Sequence, residues 1–153
     1  MSVYENLKAK GIELPQQLAA AGLYKPVTQF GKYLYVSGQG SMQGDSRICG
    51  TLGKNLTVEE GTEAARISAI NTLSALQAYT GDLNRIKQCV KILGFVASTP
   101  DFSEQAKVIN GASQLFIDVF GDDGRHARSA IGSVALPLGL AVEVESIWEL
   151  KEA

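Results

Sequence analysis

The sequence predicts an α+β fold, in which a mixed β-sheet carries two long helices on one face and a short helix comes first. Apolar residues recur at helical spacing in two long stretches, and a glycine ends each stretch. Runs rich in β-branched and aromatic residues lie before, between and after these stretches. The chain has 153 residues, the length of one domain. We therefore expect residues 1–153 to form a single domain, with residues 1–22 as an N-terminal extension.

Capping patterns define the first two helices. Ser2-Val3-Tyr4-Glu5 has the form of a capping box, and Gly11 is placed to end the helix, which predicts a first helix over residues 3–10. Thr57-Val58-Glu59-Glu60 is a second capping box, and the apolar stripe that follows it ends at Gly81.

The third helix has the strongest apolar periodicity in the chain. Its stripe runs over residues 108–120, and Gly121 ends it. Asp101, which follows Thr99-Pro100 and precedes Glu104 by three residues, is the predicted N-cap.

Five strands are predicted, at residues 23–30, 32–37, 86–98, 129–136 and 141–150. Gly31 would turn the first pair, and Pro137 and Gly139 separate the last pair, so we expect a hairpin at each end. Residues 32–37 are apolar enough to be buried on both faces, and the glycine-rich stretch 38–55 predicts a loop with short extended pieces. Because the helices can cover only one sheet face, we expect the other face to meet partner subunits.

Composition excludes several functional classes. With 14 Lys and Arg against 16 Asp and Glu, the net charge of −2 argues against nucleic acid as a partner. The chain contains no stretch of about 18 apolar residues, so no membrane span is predicted. Residues 1–6 lack the features of a secretory signal. Cys49 and Cys89 form no CxxC pair, so we expect reduced thiols and a cytoplasmic location. A single histidine, His126, excludes the usual zinc sites.

The C-terminal third carries the candidate chemistry. Strand alternation places Arg128 on one face with small residues such as Ala130, which leaves room for a ligand carboxylate held by two hydrogen bonds. The competing interpretation is a surface arginine beside a flexible loop. Glu143, Glu145 and Glu149 share a face of the last strand. They form either a solvated sheet face or a site in which one carboxylate acts as a base beside Arg128.

Several motifs together resemble the RidA/YjgF family of imine and enamine deaminases, whose members are also named L-PSP endoribonucleases. Val36-Ser37-Gly38-Gln39 resembles the family's first motif. Arg128-Ser129-Ala130-Ile131, continuing through Leu136-Pro137, and Val142–Ile147 resemble its C-terminal signature. The resemblance covers residues 26–150, and the run Arg125-His126-Ala127-Arg128 is similar to the family's longer members.

The resemblance implies a chorismate-mutase-like fold, a homotrimer with clefts between subunits, and no metal or organic cofactor. It implies a hydrolase that adds water to the C=N bond of a 2-imino or enamino acid, a small carboxylate substrate, and releases ammonia and a 2-oxo acid. By this likeness Arg128 holds the substrate carboxylate and Glu143 acts on the hydrolytic water. Ser37, Gly38 and Asn110 match positions that line the cleft.

Three residues depart from the family pattern. Val27 replaces a tyrosine, Ala130 replaces a cysteine in the substrate site, and His126 replaces a proline. Alternation puts His126 on the face of Arg128, where it is an acid–base group or an anion contact, or else a surface loop residue. These departures leave a non-catalytic carboxylate binder or stress-related interaction protein as the alternative. An endoribonuclease is disfavoured, because RNA cleavage needs cations and usually paired acid–base groups.

Overall fold

A computed structural model describes residues 1–153 and contains a five-stranded sheet with two long helices on one face. The helices are α1 (Val3–Ala9), α2 (Val58–Thr80) and α3 (Gln105–Phe120). The main sheet contains β1 (Val27–Phe30), β2 (Tyr33–Gly40), β5 (Ile86–Ala97), β6 (Ala127–Ser133) and β7 (Val142–Leu150), and a separate ribbon contains β3 (Met42–Gln43) and β4 (Ser46–Arg47). The predicted α+β class is confirmed.

The strand order is β1-β2-β7-β5-β6, with β6 parallel to β5 and the other pairs antiparallel. The first predicted hairpin is present, and Gly31 turns it with φ 60°. The predicted C-terminal hairpin is wrong, because β5 lies between β6 and β7. After β5 the chain crosses through α3 and returns as β6, parallel to β5 at the edge of the sheet. β6 and β7 therefore lie on either side of β5 and do not pair with each other.

Both predicted capping boxes are present. Ser2 Oγ accepts a hydrogen bond from the Glu5 amide at 3.2 Å, and the Glu5 carboxylate accepts one from the Ser2 amide at 2.6 Å. Thr57 and Glu60 make the same exchange, with both distances at 3.1 Å. Gly81 ends α2 in the left-handed conformation, with φ 75°.

The predicted cap of α3 is wrong. The helix begins at Gln105 after Glu104, and no side chain caps it. The Phe102 amide donates to the Thr99 carbonyl at 3.2 Å, which closes a turn over Asp101. This turn directs the Phe102 side chain against the core and delays the helix.

The core lies between the sheet and the two long helices. Alternate residues of β2 and β7 point to the helices and are buried, among them Leu34, Val36 and Val144. Trp148 packs edge-on against Phe116 of α3, with ring centroids 4.9 Å apart. No helix combines the length and apolar character that a membrane crossing requires.

The opposite face of the sheet is open in the single chain. Phe30, Tyr33 and Tyr35 are 78%, 40% and 45% exposed on it. The prediction that residues 32–37 are buried on both faces is therefore wrong within one chain. The expectation that the helices leave one sheet face uncovered is correct.

Candidate functional site

Glu143 lines a cavity of about 470 Å³ beside β2 and the start of β7. One wall comes from the leading segment, residues 10–26, which contains no helix or strand and contributes apolar side chains such as Leu18. The turn before β7 forms another wall. Glu143 is the only charged residue of the lining. The cavity is therefore an apolar space with one carboxylate.

Gly38 lies against this carboxylate. A Cβ atom at Gly38 would lie 2.7 Å from Oε2 of Glu143 and 2.9 Å from its Cγ, so no larger residue fits while Glu143 keeps its position. The neighbouring Ser37 donates its hydroxyl to the Lys25 carbonyl at 2.7 Å and its amide to the Pro26 carbonyl at 2.9 Å. Ser37 thus attaches the leading segment to β2, whereas Gly38 makes room for Glu143.

Glu143 and Glu149, on the same strand face, differ in the direction in which their surroundings shift the pKa. Half-burial raises the pKa of Glu143, and the negative charge of Glu145 raises it further. Glu145 itself is exposed. The pKa of Glu149 is lowered, first by a hydrogen bond from Gln88 at 2.6 Å and then by Lys87 at 3.3 Å. The pKa of Glu143 is thus shifted toward neutral pH, and that of Glu149 is shifted away from it.

Two parts of this cavity were not predicted from the sequence. Asn71 of α2 is buried, and its Nδ2 donates to the carbonyls of Gly40 at 3.0 Å and Met42 at 2.6 Å. These bonds hold in place the backbone that lines the cavity between β2 and β3. Leu138 lines the cavity with φ 61°, a left-handed conformation that is strained for a branched residue. The Pro-Leu-Gly turn was the only signal for Leu138, and α2 periodicity gave none for Asn71.

Arg128 and His126 lie at a second place, where β6 faces α3. Arg128 donates from Nη1 to Ser113 Oγ at 3.1 Å and from Nη2 to the Ala106 carbonyl at 3.0 Å. His126 Nε2 lies 2.9 Å from the same Ser113 Oγ, and its Nδ1 lies 2.7 Å from the Gly124 carbonyl. Both ring nitrogens of this half-buried histidine are therefore engaged within the chain.

The other predicted site residues are divided between these places. Ala130 follows Arg128 on the helix-facing side of β6 and packs against the core. Asn110 is exposed on α3 and lines a groove between α2 and α3 with Glu63 and Arg66. No group of three or more His, Cys, Asp or Glu side chains is arranged to hold a metal ion.

Arg128 and Glu143 do not meet within one chain. Arg128 is in register with Ile92 and reaches α3, whereas Glu143 is in register with Phe95 and points away from the helices. Strand β5 separates them, and they lie on opposite sheet faces. The hypothesis that Glu143 works beside Arg128 is thus wrong for a single chain.

Comparison with known proteins places this geometry in a family. Residues 5–150 match the family model described as "YjgF/chorismate mutase-like, putative endoribonuclease". A Trypanosoma cruzi protein named TCP17 is 48% identical, over 97% of this chain and 94% of its own length.

Solved structures have the same fold. A Shewanella oneidensis protein is 35% identical with a TM-score of 0.94, covering 98% of this chain and 100% of its own. A protein of unknown function from Agrobacterium tumefaciens is 41% identical with a TM-score of 0.88, covering 97% and 91%. RidA from an Antarctic Psychrobacter, at 22% identity and a TM-score of 0.60, covers 90% and 99% and shows likeness of fold alone.

Proposed function

This chain belongs to the YjgF/chorismate mutase-like family, and from that premise we propose that it is a cofactor-independent hydrolase that deaminates 2-imino and enamino acids to 2-oxo acids. The observation that carries the proposal is the Glu143 carboxylate, half-buried at an apolar cavity with its pKa raised by burial. A carboxylate with a pKa nearer the working pH both takes and returns a proton efficiently. Imine hydrolysis requires both transfers.

Arg128 supplies the contact for the substrate carboxylate. Its guanidinium has five N–H donors, and its two hydrogen bonds within the chain use two of them. The remaining donors suit a carboxylate gripped at two points, which gives orientation as well as charge.

A second copy of the chain brings Arg128 and Glu143 together in this proposal. The sheet face that carries Glu143 is open and partly apolar, and β6, which carries Arg128, is an edge strand. When an edge of one copy meets the open face of the next, the interface is heterologous, and three copies close it into a ring. Each cleft of this homotrimer then contains Arg128 from one copy and Glu143 from its neighbour.

The reaction proceeds in two proton-coupled steps. Glu143 removes a proton from water as the water oxygen bonds to the imine carbon, and the C=N π electrons move to nitrogen, which takes up a proton from solvent water. The amino group of the resulting carbinolamine receives the second proton from Glu143. The C–N bond then breaks, the hydroxyl proton is lost to solvent water as C=O forms, and ammonia leaves. An enamine enters the same path after protonation at carbon gives the imine.

An endoribonuclease, the activity in the family's description, has less support in the geometry. Its acid–base group would be His126, the chain's one histidine, and both nitrogens of that ring are bound within the chain. For the proposed enzyme, the free thiols of Cys49 and Cys89 favour a reducing compartment, which is consistent with a cytoplasmic location.

The experiment is ammonia release from imines that an amino-acid oxidase generates in situ. We expect the wild-type chain to accelerate release and Glu143→Gln to lose roughly 10²–10⁴-fold in rate, the range for a removed acid–base group. Glu145→Gln, on the same strand face, is the matched control and should retain turnover. If the wild-type chain binds 2-oxo acids in calorimetry but releases no ammonia, it is a carboxylate-binding protein. Equal rates for the two glutamine variants would show that Glu143 is not the base.

A further inference from the structure

We propose that Ser113 and His126 are positioning residues, which together hold the Arg128 guanidinium in the orientation that receives the substrate carboxylate. The inference rests on the function proposed above and assigns a task to two residues that do not touch the substrate. Its basis is a continuous chain of hydrogen bonds from Arg128 through Ser113 and His126 to the backbone at Gly124.

The donors and acceptors of this chain have one consistent direction. A carbonyl only accepts, so the Gly124 carbonyl at 2.7 Å requires the hydrogen on Nδ1 of His126. In the neutral ring, Nε2 then accepts from the Ser113 hydroxyl at 2.9 Å. Because the hydroxyl hydrogen points to His126, a lone pair of Ser113 Oγ is directed to the Arg128 Nη1–H at 3.1 Å.

This direction fixes the plane of the guanidinium. Nη1 donates to Ser113 Oγ, and Nη2 donates to the Ala106 carbonyl at 3.0 Å. Two anchors on different nitrogens restrict rotation about the end of the side chain, while three N–H groups stay available. Arginine loses much conformational entropy when it binds a ligand, and an arginine that is already held loses less of it on binding.

The same contacts argue against Ser113 as a nucleophile with His126 as its base. Its oxygen already receives an N–H from Arg128, which lowers the electron density available for attack. His126 is fixed by the backbone and packs edge-on near Phe116, with ring centroids 6.0 Å apart. The geometry therefore serves orientation rather than covalent catalysis.

Protonation of His126 would reverse the chain. An Nε2–H would donate to Ser113 Oγ, so the serine oxygen would face two cationic donors. Arg128, two residues further along in β6, is the charged group that acts on His126. Asp122, Asp123 and Arg125 precede His126 in the chain, and Arg125 pairs with Asp122 at 3.3 Å. From α3, His126 meets Ser113 and Phe116, and neither residue carries a charge.

The test compares Ser113→Ala, His126→Leu and His126→Gln with Gln114→Ala, an exposed neighbour on α3 whose partner is Asp118. We expect Ser113→Ala and His126→Leu to raise KM for the imine and Kd for the 2-oxo acid about threefold to tenfold, as for one lost hydrogen bond. Their kcat should change less than about twofold, since Glu143 is untouched. His126→Gln should restore KM, because the glutamine side-chain oxygen accepts from Ser113. Gln114→Ala should resemble the wild-type chain.

A pH profile separates positioning from a merely structural role. We expect the wild-type KM to rise as pH falls through the range where His126 protonates, and KM of His126→Gln to lack this rise. An unchanged KM and Kd in Ser113→Ala, or loss of kcat with KM intact, would overturn the inference. In either case wild-type ammonia release would leave the proposed function standing. Absence of both ammonia release and 2-oxo acid binding in the wild-type chain would instead remove the function on which the inference rests.

Discussion

Gly38 of β2 lies so close to Glu143 of β7 that any Cβ atom would come within 2.7 Å of the carboxylate oxygen. The neighbour that must move is the end of a flexible side chain, whereas the backbone around Gly38 can stay in place. We therefore expect Gly38→Ala to keep the fold and its melting temperature within a few degrees, as for a small change in unfolding free energy.

Turnover of Gly38→Ala should fall as steeply as that of Glu143→Gln, because the added methyl group would displace the carboxylate from the position that the proposed reaction requires. Ammonia release and thermal unfolding measured on the same preparation check this prediction. Full turnover in the alanine variant would show that the observed position of Glu143 is not the working one.

The raised pKa of Glu143 gives turnover an acid limb. In the proposed reaction the base is the ionised carboxylate, so kcat/KM should rise with pH through a pKa above the ordinary glutamate value of 4.5. Removing the Glu145 charge in Glu145→Gln should move this limb to lower pH and leave the plateau unchanged. A pH–rate profile of both proteins measures the shift, and coincident profiles would contradict it.

The same shift has a consequence for stability. The folded pKa lies above the unfolded one, so the folded chain holds more protons between the two values. The contribution of Glu143 to stability therefore falls as pH rises through that window.

Local sequence predicted most of the fold, and it singled out Gly38 and Glu143 of the candidate cavity but not Asn71 or Leu138. The Ser2 and Thr57 caps and the Gly31 turn depend on neighbours in the chain, and the structure contains them as predicted. Whether β6 pairs with β7 depends on β5, which is distant in sequence, so the hairpin prediction failed.

Alternation placed Glu143 on one sheet face correctly but could not relate it to Arg128. Alternation shows which residues of one strand share a face. Whether residues of two strands lie on the same sheet face also depends on how the strand between them pairs with each. The cavity wall at Leu18 had no sequence signal, because irregular segments such as the leading segment carry no periodicity.

The contact between α2 and α3 makes a stability prediction. A methyl group at Gly111 would overlap the Thr62 carbonyl oxygen, and backbone cannot move aside as a side chain does. We expect Gly111→Ala to lower the unfolding free energy by about 1–3 kcal/mol through overpacking. Urea denaturation measures this loss, with Gln114→Ala as the exposed control on the same helix. Equal urea midpoints for the two variants would show that α2 and α3 accommodate the added methyl group without loss of stability.

The two thiols should differ in reactivity. Cys89 is buried, and desolvation strongly raises the pKa of its thiol, whereas Cys49 is exposed. Because the thiolate is the reactive form, an alkylating reagent should label Cys49 in the native protein and Cys89 only after unfolding. Mass spectrometry of the digested protein reads both sites. Rapid native labelling of Cys89 would mean that the core around β5 opens easily.

The opposite placement of Arg128 and Glu143 makes the shared cleft testable without a structure of the assembly. Arg128→Ala and Glu143→Gln should each be inactive alone, the first for lack of the carboxylate contact and the second for lack of the base. In mixed trimers, an intact cleft needs Arg128 from a Glu143→Gln copy and Glu143 from an Arg128→Ala neighbour.

With equal random mixing, about one quarter of the clefts in a ring of three meet that condition. Co-expressing the two variants should thus restore about one quarter of wild-type ammonia release, and co-expressing either variant with itself should restore none. Denaturing and refolding the two variants separately before mixing is a further control, because closed trimers that do not exchange copies stay inactive. A co-expressed mixture without activity, in particles that light scattering identifies as trimers, would place Arg128 and Glu143 of each working site in one chain and reject the shared cleft.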